Sequence, residues 1–352
     1  MKIKLELDAL QGCLDVISRL APPTSGNITF MSKGGKVTLA SSADLSRCLI
    51  IMPCEVDKEG EFAIPLQALR DASKGRKELE LLYKNAVLNV MSGKYKAELT
   101  TVDIIPLDEY EAEEGNDWKL DTKQSSWLKK ALRDVALKPT TLLMSWIPVG
   151  VKLTPKGAFV ACYDLQHMSW TSSKEVTGDF NCVLPLETLT NVIDLFHKST
   201  FKIRHTRSRI EISTKLAKVY LNTPTMDDLP SLDDVQSKIK EASKIDGATF
   251  TFSKDNLMVF MDNARSVIGK ERAELLVASP KGSKGLDLTI RTGQGQVSAS
   301  VKGSGKGSFK VDYEYFLEGL GKAGEEVSMN VVQDAFVGMT LATSSLIIAL
   351  NQ

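Results

Sequence analysis

The stretch from Glu61 to Pro106 decides the fold, because its pattern recurs twice further along the chain. It opens with Phe62-Ala63-Ile64-Pro65-Leu66, a short strand that runs into a helix with one apolar face. Leu79, Leu81 and Tyr83 then alternate with polar residues, which is typical of a strand with one buried face. Two further strands follow before Pro106. The stretch therefore predicts a strand, a helix and three antiparallel strands.

Second and third copies of this pattern start at Phe180 and Phe309, and each copy is preceded by a matching half. Those halves begin near Ile3, Trp118 and Phe250. A self-similarity on the scale of a whole domain indicates three copies of one domain and not a solenoid of small repeats. We therefore predict an α+β fold of three tandem domains, each built from two β-α-β-β-β halves. The predicted domains cover residues 1–109, 117–232 and 246–352.

Polar residues mark the joints of the chain and one helix start. Residues 107–117 contain six acids, which predicts a solvated linker. Residues 231–247 are rich in Asp, Ser and Lys and predict a polar connector between the last two domains. Ser125 and Ser126 predict the N-terminal cap of a helix over Trp127–Leu137.

Composition is that of an ordinary globular protein, with 43% hydrophobic and 25% charged residues over 352 positions. The 44 Lys and Arg balance the 44 Asp and Glu, so any nucleic-acid contact must come from local patches. Five cysteines, mostly within apolar runs, predict reduced thiols in a cytoplasm. The chain shows no signal peptide and no apolar run of about 20 residues, so we expect no membrane segment.

A search for chemistry yields no active site. Cys162, Asp164 and His167 lie close in sequence, but no glycine turn of the oxyanion type accompanies them. Gly303–Ser308 resembles part of a phosphate loop, but it has Gly307 where Ser or Thr should follow the lysine. The three histidines show no metal-ligand spacing. We expect a protein that is not an enzyme and that holds no cofactor and no metal.

Several of these segments resemble the bacterial type of DNA sliding clamp, the beta subunit of the replicative polymerase, or a phage relative. The segment Ser92–Leu99 with Pro106 resembles the strand that closes the family's first domain. Val183-Leu184-Pro185-Leu186 with its helix, followed by Tyr220-Leu221 to Leu229-Pro230, resembles the second half of the family's domain 2. The C-terminal strand resembles the family's last strand. Tyr163–Met168 and Ile348–Gln352 depart from the family's patterns, as expected of a divergent member, cellular or phage-encoded.

The resemblance implies a processivity factor. Two copies would close head to tail into a ring, with helices lining a hole around duplex DNA and antiparallel sheets outside. The ring would hold DNA without sequence specificity and tether a polymerase, with a clamp loader as a further partner. Its place would be the nucleoid, or the host cytoplasm for a phage protein. The alternative is a repeat-built adaptor that binds replication or repair partners and never encircles DNA.

The resemblance also implies three sets of site residues. Basic residues on the predicted helices would face the DNA, although lysines also cover any solvated helix face: Arg70, Lys74, Arg76, Lys77, Lys129, Lys130, Arg133, Lys138, Lys198 and Arg265. A pocket for partner peptides would lie between domains 2 and 3, lined by residues that equally suit plain core packing: Leu165, His167, Met168, Pro230, Val235, Ile348 and Leu350. The ring interface would include Lys94, Lys96, Ala97, Val267 and Ile268, with the strand Lys94–Leu99 paired to Glu274–Ala278.

Overall fold

A computed structural model describes ten ranges of the chain. They are residues 1–43, 46–104, 114–137, 147–164, 166–206, 209–222, 230–269, 272–280, 285–333 and 335–350. Seven helices and 25 strands lie within these ranges. The class is α+β, as predicted.

Six of the helices belong to the predicted halves, and each buries one apolar stripe. They are α1 (Leu7–Leu20), α2 (Leu66–Ser73), α3 (Thr122–Val135), α4 (Leu186–Phe196), α6 (Lys254–Ile268) and α7 (Tyr313–Lys322). In α1 the stripe consists of Leu10, Leu14 and Ile17, at the spacing of three to four residues that one helix face requires. The remaining helix, α5 (Leu232–Ala242), belongs to none of the halves.

The strands repeat the same order three times. The first set is β1 (Lys2–Glu6), β2 (Asn27–Lys33), β3 (Lys36–Ala43), β4 (Ser46–Met52), β5 (Glu55–Lys58), β6 (Gly60–Pro65), β7 (Glu78–Lys84), β8 (Val87–Ser92) and β9 (Tyr95–Thr100). The second set is β10 (Gly115–Leu120), β11 (Pro148–Thr154), β12 (Gly157–Tyr163), β13 (His167–Ser173), β14 (Phe180–Pro185), β15 (Phe201–Thr206), β16 (Arg209–Ser213) and β17 (Ala217–Asn222). The third set is β18 (Ala248–Ser253), β19 (Glu274–Ser279), β20 (Gly285–Thr292), β21 (Gly295–Ser304), β22 (Gly307–Asp312), β23 (Glu326–Val332), β24 (Phe336–Thr340) and β25 (Ser345–Ala349). Apart from β5 and α5, the order is β-α-β-β-β in every half, as the sequence predicts.

Contacts divide the chain into two compact units. Unit one comprises residues 1–125 and 191–227, and unit two comprises residues 126–190 and 228–352. Unit one holds a five-stranded sheet, β5-β1-β7-β8-β9, and an eight-stranded sheet, β10-β15-β16-β17-β4-β3-β2-β6. Unit two holds one twelve-stranded sheet, β14-β11-β12-β13-β25-β24-β23-β18-β21-β20-β19-β22. The three domain ranges drawn from the sequence remain a prediction, since this division passes through the middle one.

Within each repeat the two halves exchange their first strands. β1 pairs with β7 of the following half, and β6 pairs with β2 of the preceding half. The exchange brings residues far apart in sequence into one core. Phe30 and Phe62, for example, stack with their ring centroids 4.8 Å apart.

The predicted cap of the third helix is wrong. α3 begins at Thr122, and Ser125 lies inside it with its Oγ donating to the Asp121 carbonyl at 2.7 Å. The helix start is held by a reciprocal pair instead. The Gln124 N–H donates to the Asp121 carboxylate at 2.8 Å, and the Asp121 N–H donates to Gln124 Oε1 at 2.9 Å.

The predicted polar connector at 231–247 is also wrong, because most of it is α5. Ser231 and Asp234 form a capping box at the helix start. Leu232, Val235 and Ile239 then face inward and are buried. Their spacing of three and four residues is that of an amphipathic helix, so the charged residues between them cover its outer face.

Candidate nucleic-acid interface, partner surface and edge strands

A basic stripe runs along the exposed face of α3. Lys123, Lys130 and Arg133 are exposed at spacings of seven and three residues, which places them on one side of the helix. The opposite side is buried through Leu128 and Ala131 among others. Lys129 is half-buried beside the stripe. Lys123 is absent from the predicted set because the helix start was placed after it. Its spacing from Lys130 would have identified it.

Four predicted basic residues lie in α2 or just after it, and they differ in whether they have a structural partner. Lys74 and Lys77 are exposed. Arg70 instead ties α2 to α1, since its guanidinium donates to Ser18 Oγ at 2.7 Å and to the Leu14 carbonyl at 3.3 Å. The Arg76 guanidinium lies 3.8 Å from the centroid of the Tyr95 ring. Two of these four residues therefore have structural partners within unit one.

The other predicted basic residues stand in mixed surroundings. Lys198 is exposed just beyond α4. Arg265 is exposed on α6, 3.8 Å from Asp262. Lys138 lies outside the described residues. α1 exposes Asp8 and Asp15. Positive charge is thus concentrated on α3 and on the segment after α2, and the helices do not share it evenly.

The predicted partner-pocket residues of unit two differ sharply in exposure. His167, Val235 and Ile348 are buried, at 2%, 1% and 0% exposure, so they support the surface from below. Met168, Pro230 and Leu350 are half-buried. Leu165 lies outside the described residues. Only the half-buried members can contact a partner directly.

His167 is enclosed by acids and an aromatic ring. Its Nδ1 lies 2.8 Å from Asp164 Oδ1, and its Nε2 lies 4.0 Å from Glu318 Oε2. The Tyr315 ring lies 4.0 Å from the imidazole, centroid to centroid. Burial by itself would raise the pKa of Asp164, but His167 and two backbone N–H groups lower it below its ordinary value. This group joins Asp164, which follows β12, to His167, the first residue of β13.

Helix α5 forms an apolar cluster with the outward face of β12 and β13. Its inward residues pack on Ala161 and Tyr163, and the Tyr163 hydroxyl donates to the Pro230 carbonyl at 3.2 Å. Phe159, Met168 and Trp170 border this cluster and stay half-buried. Phe159 and Trp170 are absent from the predicted set, although their alternation along β12 and β13 marks them as outward-facing apolar residues.

The sheets end at β5, β9, β10, β6, β14 and β22 among the described residues. Of the six strands that close a β-α-β-β-β half, two keep an unpaired edge in the described ranges. β9 pairs with β8 alone, and β21 pairs with β20 along 285–302 while touching β18 only at Gly303 and Ser304. The predicted partner strand Glu274–Ala278 is wrong, because it lies in β19, which β20 and β22 flank on both sides. Val267 lies beside the end of β20, since its carbonyl accepts from Thr292 Oγ1 at 3.4 Å, and near Gly295 at the start of β21. Ile268 is buried beneath it.

A cleft of about 860 Å³ lies in unit one, and Met91 in its wall pairs with Lys96 of the predicted ring interface. Leu5, Leu79 and Met91 line it together with four glutamates: Glu6, Glu55, Glu78 and Glu80.

Burial raises the pKa of the Cys162 thiol of unit two to about 12, which leaves almost no nucleophilic thiolate near neutral pH. The described residues contain no cluster of metal-ligating side chains. None of the described helices is long and apolar enough to cross a membrane.

Three repeats of paired β-α-β-β-β halves, joined strand to strand, define the fold of the bacterial DNA sliding clamps. The DNA polymerase III beta subunit of Pseudomonas aeruginosa matches over 100% of both chains, with 13% identity and a TM-score of 0.78. The Thermotoga maritima beta subunit matches over 100% of this chain and 99% of its own, with 16% identity and a TM-score of 0.76. The Streptococcus pyogenes beta subunit matches over the full length of both, with 14% identity and a TM-score of 0.74.

No protein-family model and no curated protein matches the sequence. At such identities the likeness establishes the fold. The resemblance inferred from the sequence is confirmed at that level.

Proposed function

We propose that the protein is a DNA polymerase processivity factor, a ring of two copies that encircles duplex DNA. One observation carries the proposal. The last strands of two halves pair with each other twice, β17 with β4 and β25 with β13, and in the described ranges the two remaining last strands, β9 and β21, pair with no other strand of this kind.

Unpaired strand edges are hazards that proteins cover or pair. A second copy supplies the missing partner for each edge, since its β21 can accept β9 and its β9 can accept β21. Head-to-tail interfaces of this kind generate a closed ring when the rotation brings the ends together. The two copies then form a homodimer with two identical seams.

The stripe on α3 supplies the attraction for DNA. Lys123, Lys130 and Arg133 are cations on a solvated helix face, suited to phosphate oxygens and not to base edges. Contacts of this kind carry no sequence information and weaken with salt, so the ring can slide. Holding DNA by topology makes tight binding unnecessary.

The partner surface supports tethering of a polymerase and of a clamp loader. Met168 and Trp170 on β13 stand half-buried beside α5, and Pro230 and Leu350 have similar exposure. A set of such apolar groups suits a short peptide with a few apolar anchors.

The test of encirclement uses linear duplex DNA with biotin at both ends. The protein is allowed to thread onto the DNA, streptavidin then blocks the ends, and the salt concentration is raised to remove electrostatic binding. We expect retention on blocked DNA and release from open DNA. Equal loss from both would contradict encirclement and favour the adaptor, which is indifferent to DNA ends.

The test of the α3 stripe is the variant Lys130→Glu with Arg133→Glu. We expect low-salt DNA binding to weaken and its salt dependence to become shallower, by about one slope unit for each lost phosphate contact. Lys36→Glu with Lys215→Glu is the matched control, since both residues are exposed at strand turns away from the helices. The same loss in the control would show that net charge, and not α3, governs binding.

A further inference from the structure

We infer that the two copies join in one specific register, with Ala97 of β9 opposite Val297 of β21 in the second copy, and that charges on the outward face select this register. The inference rests on the proposed ring and specifies its seam. It follows from the internal repeat, because the two junctions inside the chain share one register.

The last strands of the second halves, β9, β17 and β25, can be aligned by their pairing with the preceding strands, β8, β16 and β24. Ala97 on β9, Val219 on β17 and Leu346 on β25 each lie opposite the second buried apolar residue of that preceding strand. Those residues are Val90, Ile212 and Met339. The three positions are therefore equivalent.

The last strands of the first halves, β4, β13 and β21, can be aligned in the same way by their pairing with β3, β12 and β20. β3, β12 and β20 each place three buried residues inward in alternation, and the third of these is Ser41, Cys162 or Ile290. Opposite these third residues lie Cys48 on β4, Ser169 on β13 and Val297 on β21. These three positions are equivalent as well.

The known junctions connect the two alignments. Val219 pairs with Cys48, and Leu346 pairs with Ser169. The same relation pairs Ala97 with Val297 of the second copy. Because the strands are antiparallel, the neighbouring pairs are Tyr95 with Ala299, Lys96 with Ser298, Glu98 with Gln296 and Leu99 with Gly295.

The inward side chains fit this register. Tyr95, Ala97 and Leu99 are all half-buried in the single chain and would become covered. Leu99 would face Gly295, which has no side chain. A Cβ on Gly295 would lie 3.4 Å from Val267 Cγ1, so the space above this glycine has an apolar wall that Leu99 can contact.

The outward charges alternate in the matching order. Glu98 would face Gln296, which accepts from the Arg291 guanidinium at 2.9 Å in the same cross-strand row. Lys96 would face Ser298, with Ser300 and its acceptor Asp287 in the adjoining row. Glu98, which pairs with Lys96 of its own strand at 2.6 Å, would thus share a cross-strand row with a cation, and Lys96 would lie near an anion.

Other registers lose part or all of this agreement. A slip that brings Lys96 opposite Ser300 keeps it near Asp287 but moves Glu98 opposite Ser298, away from Arg291. A slip of one residue would turn Tyr95, Ala97 and Leu99 to the outward face. A slip of two residues in one direction would bring Lys96 opposite Gln296 and towards Arg291, where like charges repel. The backbone ladder alone tolerates either slip, so the side chains decide between them.

Engineered cysteines test the register. Residues directly opposite in an antiparallel pair have Cα atoms about 4.5–5.5 Å apart, within the range of a disulfide, whereas a diagonal pair is at about 7–8 Å. We expect Lys96→Cys with Ser298→Cys to give a covalent dimer on mild oxidation. Lys96→Cys with Gln296→Cys, and Lys96→Cys with Ser300→Cys, are the shifted controls. The parent chain, with its five native cysteines, is the blank.

The outcomes separate the register from the ring. Cross-linking of a shifted pair, or of none in a chain that light scattering shows to be dimeric, overturns the register and leaves the ring standing. A parent chain that is monomeric at every concentration overturns both.

Charge reversal tests the selection by side chains. We expect Glu98→Arg to raise the dimer dissociation constant about tenfold, and Glu98→Arg with Arg291→Glu to recover most of the loss. Equal weakening in both variants would show that the charges do not select the register.

Discussion

The two internal junctions have the same backbone register but opposite chemistry on their outward faces. In unit one the row that crosses β17 and β4 is charged, and it consists of Asp117, Arg204, Glu211, Tyr220 and Arg47. In unit two the corresponding row across β25 and β13 is largely uncharged, and it consists of Asn330, Gly338, Ile347, Met168 and Tyr163.

The difference shows that the backbone ladder makes the junction and leaves the outward side chains free to differ. Where the row is charged, neighbouring strands are linked by ion pairs such as Arg204 with Asp117 at 3.0 Å. Where it is apolar, α5 covers part of the face and the remainder stays half-buried. Unit two therefore has a half-buried apolar surface at the place where unit one has charges.

The largest expected effect is a difference in stability loss between removing a buried acid of unit two and removing an exposed acid of unit one. The Asp164 side chain is 7% exposed and that of Asp117 is 64% exposed. We expect Asp164→Ala to reduce the free energy of unfolding by about 3–5 kcal/mol, because it leaves His167 buried without its partner. We expect Asp117→Ala to cost about 1 kcal/mol or less. Urea denaturation of both variants measures the contrast, and equal losses would contradict it.

The second expected effect concerns α5, which has no counterpart among the described residues of unit one. A Cβ on Gly150 would overlap the Leu232 side chain at the start of this helix. We expect Gly150→Ala to destabilise unit two by about 1–3 kcal/mol, and to expose Trp170 to fluorescence quenchers. Gly321→Ala, in α7 with nothing within 4 Å, is the control and should be neutral or slightly stabilising. A shielded Trp170 in Gly150→Ala would mean that α5 tolerates the overlap.

The smallest expected effect is a pH dependence. The folded-state pKa of Asp164 lies below the ordinary 3.8, so its carboxylate stabilises the fold above that value. This stability is lost as the pH falls below 3.8 through the folded-state pKa. The difference in unfolding free energy between the parent and Asp164→Asn should therefore shrink with acid. A difference that stays constant down to the lowest accessible pH would contradict the role of His167 and the backbone N–H groups.

The local patterns were predictable from sequence, and the non-local ones were not. Alternation and helix periodicity gave all six β-α-β-β-β halves, because each is a pattern within a few residues. The start of α3 was misplaced because Asp121 and Gln124 cap it ahead of two serines that also suit a cap. α5 was missed because only three apolar residues stand among its charges.

The candidate sites follow the same rule. The basic character of α3 lies within one helix and was recognised there. The partners of Arg70 and Arg76 are on α1 and β9, and nothing near them in sequence identifies these contacts. β19 is flanked on both sides because β22 of the following half pairs with it. This pairing cannot be seen in the order of strands along the chain, so the sequence pattern predicted β19 to be an edge strand.

The most direct measurement is the mass of the parent chain by light scattering over a wide range of concentrations. The two junctions inside the chain imply a third that needs a second copy, so we expect a mass near twice 38.6 kDa at micromolar concentration. Addition of salt should shift this mass towards the monomer, because charges contribute to the seam. A mass of 38.6 kDa at every concentration would contradict the account.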